Sequence, residues 1–211
     1  MRRMAGAVMG FVIAGCVGAA QQHDAHPNAK PAAAKTGPAA AQAKIRDAMS
    51  AAPAAISKNA TIMDWPDKPG APMTQLKAGT NGWMCMPSTG AGGGVSADPM
   101  CLDKSFSSWA DAYINRKDPQ LSATGIGYML RGDKGASNTD PFAEAPTPTN
   151  QWVVSGPHLM LVFPDPKQLD AFPTDPNSGG PFVMWKGTKY AHVMVPVAAM
   201  PKQPAAKAAA Q

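Results

Sequence analysis

The two ends of the chain lack the periodic apolar residues that a hydrophobic core needs, and this confines folding to the middle. Residues 17 to 41 and 198–211 are dominated by Ala, Pro, Lys and Gln. Such segments act as spacers, because they cannot bury enough apolar surface to offset the entropy lost on ordering them. We therefore predict a tether over 16–43, one folded domain over 44–197 and a disordered Ala/Pro/Lys tail over 198–211.

The positive charge of the chain also belongs to its ends. The chain has a formal net charge of +5 and a pI near 9.2, yet residues 44–196 carry equal numbers of acidic and basic side chains. Nucleic-acid binding draws its affinity from clustered Lys and Arg. A neutral folded domain therefore predicts no nucleic-acid partner.

The N-terminus has the layout of an export signal. Arg2 and Arg3 precede an uncharged apolar stretch, Ala5–Ala20, that is short for a membrane span. Within it, Ile13-Ala14-Gly15-Cys16 resembles the bacterial lipobox, whose cysteine receives lipid before the signal is removed.

This resemblance implies a lipoprotein signal peptide over 1–15 and a lipidated Cys16. The protein would then be anchored to a membrane of the bacterial cell envelope, on the periplasmic side or at the outer membrane. The alternative is ordinary cleavage near Ala19 or Ala20, which would release a secreted protein.

Removal of the signal leaves two cysteines, Cys85 and Cys101, in an exported chain. An even pair in an oxidising compartment is most simply a disulfide. Closing a loop of this length stabilises the fold by ~3 kcal/mol on the chain-entropy model. The spacing does not fit the Cys-x-x-Cys pattern used for thiol exchange or zinc.

Apolar periodicity predicts two helices in the domain. The first carries apolar residues at helical spacing before Pro53, namely Ile45, Ala48, Met49 and Ala52. The second begins at Asp103 or Ser105, either of which can cap it, and carries a stripe of Phe106, Trp109, Ala110 and Tyr113.

Strand-like runs occupy 60–65, 125–131, 151–155, 158–163 and 182–195, the last of which is broken by a turn. Helices followed by a mostly antiparallel sheet predict an α+β fold with a small sheet, two helices and one disulfide. Gly187 and Thr188 suit a two-residue hairpin loop, which would pair Val183 with His192. That register predicts one face shared by Trp185, Tyr190, His192 and Met194.

Two segments, His158-Leu159-Met160 and His192-Val193-Met194, place a methionine two residues after a histidine, on the same side of a strand. If the strands are neighbours, His158, Met160, His192 and Met194 form a soft ligand set suited to Cu(I). The alternative is that the methionines fill the core and each histidine satisfies a hydrogen bond, with no cofactor.

Our leading interpretation is an envelope protein that acts as a binding or structural module for a protein or small-molecule partner. A periplasmic copper-binding protein is the first alternative. An enzyme is the second, although the chain has no Gly-x-Ser-x-Gly, His-Glu-x-x-His or phosphate-loop motif, and no catalytic residue is assigned. A triad built from a dispersed Ser, one of the two strand histidines and an Asp stays open.

Several runs together resemble a group of uncharacterised exported bacterial proteins, among them predicted lipoproteins. These runs are Met49–Pro53 through Asp64-Trp65, Gly79–Trp83 with Cys85, Asp98–Asp103, Gly156–Met160, and Trp185–Thr188 to His192. The resemblance spans about residues 45–197. It implies an envelope location and a single domain, and it assigns no activity, cofactor or site.

Overall fold

The computed structural model describes residues 37–68, 71–89 and 98–201. Cys16, residues 1–15, and most of the predicted tether and tail lie outside these residues. The described helices are α1 (Pro38–Met49), α2 (Ala54–Ser57), α3 (Lys104–Ile114) and a 3-10 helix (Pro166–Ala171). Within the described ranges, no helix has the length and apolar composition needed to cross a membrane.

The strands are short. In chain order they are β1 (Thr61–Asp64), β2 (Thr74–Lys77), β3 (Met84–Met86), β4 (Met100–Leu102), β5 (Gly125–Met129), β6 (Ala136–Ser137), β7 (Trp152–Val153), β8 (His158–Val162), β9 (Phe182–Met184) and β10 (His192–Pro196).

Eight of these strands form one sheet in the order β2-β1-β3-β4-β5-β8-β10-β9, and β6 pairs with β7 separately. Neighbours in the large sheet are antiparallel, except for the parallel pair β1 and β3. The predicted combination of helices with a mostly antiparallel sheet is confirmed, but the sheet is larger than predicted. Strands β2, β3 and β4 were not predicted, because three or four residues show no clear alternating pattern. They become strands through hydrogen bonding to their neighbours in the sheet.

Helix α3 lies against one face of the sheet, which we call the cavity face. Asp103, one of the two predicted caps, accepts hydrogen bonds from the backbone N–H of Phe106 (2.7 Å) and of Ile126 (2.9 Å). Gly125 on β5 lies so close that a Cβ there would be 2.5 Å from the Phe106 nitrogen. Phe106 and Trp109 of the predicted stripe are buried. The cap and the glycine therefore set the position of α3 over β5.

The opposite face is covered by α1 and by the 3-10 helix. Beneath α1 lies a cluster of small and sulfur-containing side chains: Ala48, Ala51, Ala52, Ala60, Ile62, Cys85 and Cys101. Beneath the 3-10 helix, Leu169 packs with Val183 and Val193. The sheet therefore has helices on both faces, although β5 and β8 are more deeply buried on the cavity face than on the other.

The predicted disulfide between Cys85 and Cys101 is confirmed. The two residues are direct cross-strand partners on β3 and β4, with a Cα–Cα distance of 4.0 Å. Because β4 leads into α3, the bond joins the segment before β4 to the entry of that helix. It also covalently links two neighbouring strands near the middle of the sheet.

Two boundaries differ from the predicted ones. Helix α1 begins at Pro38, inside the predicted tether, and an ion pair between Lys44 Nζ and Asp64 Oδ2 (2.6 Å) joins it to β1. Proline is well tolerated in the first turn of a helix, where its missing N–H costs nothing. At the other end, Met200 of the predicted tail packs against the main core.

The predicted register of the last hairpin is wrong by one residue. The structure pairs His192 with Met184, and Val183 with Val193. Strand β9 stops at Met184 because Trp185 turns into a left-handed conformation (φ 58°) and donates its backbone N–H to the Asn138 carbonyl (2.8 Å). A shift of one residue exchanges the two faces of a strand. Met184, and not Val183, therefore shares the cavity face with His192.

Replacing Asp103 by Ala should lower the free energy of unfolding by about 2 kcal/mol, since the variant loses a helix cap and the hydrogen bond to β5. Urea unfolding monitored by tryptophan fluorescence measures this change. Asp111→Ala, at an exposed position of the same helix, is the matched control and should change stability by less than about 0.5 kcal/mol. Equal stability of both variants would contradict the role given to Asp103.

Candidate metal centre

A cavity of about 300 Å³ lies between α3 and the cavity face, and methionine dominates its lining. Strand alternation turns every second side chain of these strands toward the cavity. Six methionines from six different strands contribute to it: Met86, Met100, Met129, Met160, Met184 and Met194. The cavity therefore collects thioether sulfur from six strands of the sheet.

Both strand histidines line this cavity. The sequence left open whether their strands are neighbours, and the structure pairs β8 directly with β10. In this register Met160 lies opposite Met194, while His158 lies opposite Pro196. His158, Met160, His192 and Met194 thus share a face and a cavity.

The two histidines do not lie side by side. Continuing the register places His192 opposite Val162, four residues along β8 from His158. At a rise of ~3.3 Å per residue, their positions along the strands are roughly 13 Å apart. Each histidine lies at the start of its strand, and antiparallel strands start at opposite ends. The methionine pair Met160 and Met194 lies between them.

Each histidine has a methionine as its direct partner on the other neighbouring strand. His158 lies opposite Met129 of β5, and His192 lies opposite Met184 of β9. Directly opposed residues have Cβ atoms about 4.5 to 5.5 Å apart, so their side chains are in contact range. Each histidine therefore has two methionines as neighbours on the cavity face, one across the sheet and one on its own strand.

The protonation of both rings follows from their hydrogen bonds. Nδ1 of His158 lies 2.7 Å from the carbonyl oxygen of Gly156, and Nδ1 of His192 lies 3.1 Å from that of Tyr190. A carbonyl only accepts, so Nδ1 carries the proton in both rings and Nε2 presents a lone pair. Nε2 of His158 is buried and has no hydrogen-bond partner among the described residues.

Burial keeps both rings neutral. Desolvation lowers the pKa of His158, although the nearby Asp133 carboxylate acts in the opposite direction. Desolvation lowers the pKa of His192 from 6.5 to about 4, and the neighbouring His158 adds to this effect. Neutral imidazoles with a free Nε2 are the form in which histidine binds metal ions.

The surroundings of the two rings differ. The indoles of Trp109 and Trp185 stack on each other with ring centroids 6.1 Å apart. His192 lies beside this pair, with its ring edge-on and its centroid 4.8 Å from Trp185 and 5.3 Å from Trp109. Trp185 is the residue in the left-handed conformation, and its indole N–H donates to the Ser137 carbonyl (2.7 Å). Left-handed backbone in a bulky residue is strained and needs support from its neighbours. The ring stack and this hydrogen bond supply that support at the cavity wall.

Charged side chains also line the cavity. Asp98 and Asp133 contribute carboxylates, and Lys134 lies 3.8 Å from the Asp98 carboxylate. The Asp133 carboxylate accepts hydrogen bonds from the backbone N–H of Gly135 and Ser155 at 2.9 Å each. The His158 end of the cavity therefore has a carboxylate whose position is set by backbone contacts.

Other chemistries find less support at these residues. Among the described residues, neither imidazole forms a hydrogen bond to a serine or carboxylate side chain. Within the same residues, no group of three or more His, Cys, Asp or Glu side chains has an arrangement that could hold a metal ion. Methionine sulfur is a separate class of ligand, and it is the one abundant here.

Sequence reasoning missed Met129 and Met184. Alternation along Gly125–Met129 places Met129 on the same face as Gly125 and Gly127, the two glycines that lie against Phe106 of α3. The sequence does not show that His158 is its cross-strand partner. Met184 was assigned to the wrong face because the hairpin loop is longer than predicted.

Comparison with family models, curated proteins and solved structures finds no match, so the resemblance described above stays a prediction.

The metal-free protein should lose stability as the pH falls from 6.5 to about 4. Across this window the unfolded state binds a proton at His192 that the folded state does not, so lower pH favours unfolding. One such group contributes a slope of up to about 1.4 kcal/mol per pH unit, and His158 acts in the same direction.

Urea unfolding between pH 4.5 and 7.5, with a chelator present, measures this slope. His192→Asn is the matched variant, because the amide can still donate to the Tyr190 carbonyl but does not titrate. Its stability should fall less steeply with acid than that of the wild type. Parallel curves for the two proteins would show that His192 does not carry the acid sensitivity.

Proposed function

We propose that this protein is an exported, lipid-anchored binding protein of the bacterial cell envelope, and that it holds Cu(I) in the methionine-lined cavity. Thioether sulfur is a soft ligand that selects Cu(I), and neutral imidazole also suits copper. The cavity brings both ligand types together in buried positions.

One observation carries this proposal: the buried, unpartnered Nε2 of His158 in a cavity lined with thioethers. A buried acceptor without a partner costs roughly 1 to 3 kcal/mol. Coordination of a metal ion would supply the partner. Metal-binding histidines usually donate their other N–H to a carbonyl or carboxylate, as both rings do here.

A second candidate occupant is a small apolar molecule. The cavity volume of about 300 Å³ falls at the lower end of the range for small-molecule sites, and its walls are mostly apolar. A small apolar ligand would agree with the leading interpretation of the sequence, a binding module. It would leave Nε2 of His158 without a partner, however. Copper binding accounts for both the apolar walls and that nitrogen.

The proposed location rests on the sequence. The signal pattern before Cys16 supports export and lipid attachment, and a disulfide such as Cys85–Cys101 is typical of proteins in oxidising compartments. Several acyl chains on one cysteine would anchor the protein firmly, since each buried methylene adds ~0.8 kcal/mol.

Cu(I) binding is measured by titrating the exported protein, extracted in detergent, against a chromophoric Cu(I) chelator. We expect the protein to remove copper from the chelator, and His158→Asn to weaken binding more than tenfold. The asparagine amide can keep the hydrogen bond to Gly156 while removing Nε2. Met49→Leu, on the opposite side of the sheet, is the control and should bind as the wild type does. Failure to compete, or indifference to His158→Asn, would contradict the proposal.

Lipid attachment is tested separately by growing expressing cells with labelled palmitate. The wild type should carry the label in the membrane fraction, and Cys16→Ser should be unlabelled. Cys85→Ser is the control, since it removes a different cysteine and should keep the label. An unlabelled wild-type protein in the culture medium would instead support simple cleavage and secretion.

A further inference from the structure

The register of the sheet repeats one arrangement twice within the cavity. Each histidine has a methionine opposite it on one neighbouring strand and a second methionine two residues further along its own strand. The two sets are His158 with Met129 and Met160, and His192 with Met184 and Met194. All six side chains line the same cavity.

We propose that the cavity holds two Cu(I) ions, each bound by one histidine nitrogen and two methionine sulfurs from one of these sets. This inference rests on the proposed function, and it adds the number of ions and the ligands of each. The two sites are related through the central pair of Met160 and Met194, which are direct cross-strand partners.

The positions of the rings argue against one ion shared by both histidines. Their strand positions are roughly 13 Å apart at ~3.3 Å per residue. Each Nδ1 is bonded to the carbonyl two residues earlier, Gly156 for His158 and Tyr190 for His192, and these carbonyls lie beyond opposite ends of the paired segment. The hydrogen bonds therefore orient each ring from its own end of the paired segment, beside its own two methionines.

The methionines suit these roles because their side chains are adaptable. Methionine has three rotatable bonds and a polarizable sulfur, so it can bring the sulfur to a ring that lies beside it or two residues away. The four methionines of the two sets are all at most 8% exposed. Their burial keeps water from competing with the weakly binding thioethers.

The two sites should fill in order. The Asp133 carboxylate lines the cavity together with His158 and is held in place by two backbone N–H groups, so it would stabilise a cation bound on the His158 side. His192 instead lies beside the stacked indoles of Trp109 and Trp185, which carry no charge. A first ion at His158 would also repel a second. The His158 set therefore binds first and more tightly.

Ag(I) is the probe for this proposal, because it resembles Cu(I) in charge and softness and is not oxidised in air. Native mass spectrometry of the detergent-extracted protein counts the bound ions, and we expect two. The double variant His158→Asn/Met129→Leu should bind one ion, as should His192→Asn/Met184→Leu. Met86→Leu, which alters a methionine of the same cavity that belongs to neither set, should still bind two.

Carbon-13 labelling of the methionine methyl groups provides a test in the unsubstituted protein. The methyl signals of Met129 and Met160 should shift with the first equivalent of Ag(I), and those of Met184 and Met194 with the second. Assignment uses single Met→Leu variants, a change that fits the volume of the core.

The results separate this inference from the proposed function. Saturation at one ion, or complete loss of binding in both double variants, would overturn the two-site arrangement and leave a single copper site standing. A loss of one ion in Met86→Leu would overturn the ligand sets. Absence of any binding of Ag(I) or Cu(I) would overturn the proposed function together with this inference.

Discussion

The antiparallel pairing of β8 with β10 is the constraint on which the cavity depends. It opposes Met160 and Met194, and it places the two histidines at opposite ends of the paired segment. Because side chains alternate along a strand, a slip of one residue by either strand would turn its histidine and its methionine to the other face. The packing of Leu161, Val193 and Val195 around Leu169 on that other face resists such a slip. The hydrophobic layer beneath the 3-10 helix therefore defines which residues line the cavity on the far side of the sheet.

Several features at the cavity lower the stability of the fold instead of raising it. Nε2 of His158 is buried without a partner among the described residues, burial lowers the pKa of His192, and Trp185 has a left-handed backbone. Departures from local rules that gather in one place are typical of functional sites. They are supported here by other contacts of α3, including the Asp103 cap and the close approach to Gly125.

Much of this fold could be predicted from local sequence patterns. The features that could not be predicted depend on which strands pair and in what register. The aromatic stripe of α3, the disulfide and the two His-x-Met strands follow from spacing and compartment, and the structure contains the helix, the bond and both strands. Strand β3 escaped prediction because three residues cannot show an alternating pattern. The partners of the histidines escaped it because Met129 and Met184 come from strands whose order and register arise only when the sheet assembles.

The proposed export and the proposed ligand chemistry explain each other. Thiolate is the strongest soft ligand that a protein has, but in an oxidising compartment neighbouring cysteines form disulfides, as Cys85 and Cys101 do on the face opposite the cavity. A thioether cannot form a disulfide, so methionine supplies soft sulfur that persists there. Its remaining weakness is oxidation to the sulfoxide, which would place a polar group in an apolar space. Enclosing the methionines between α3 and the sheet shields them from oxidants, and the same enclosure removes the water that would compete for Cu(I).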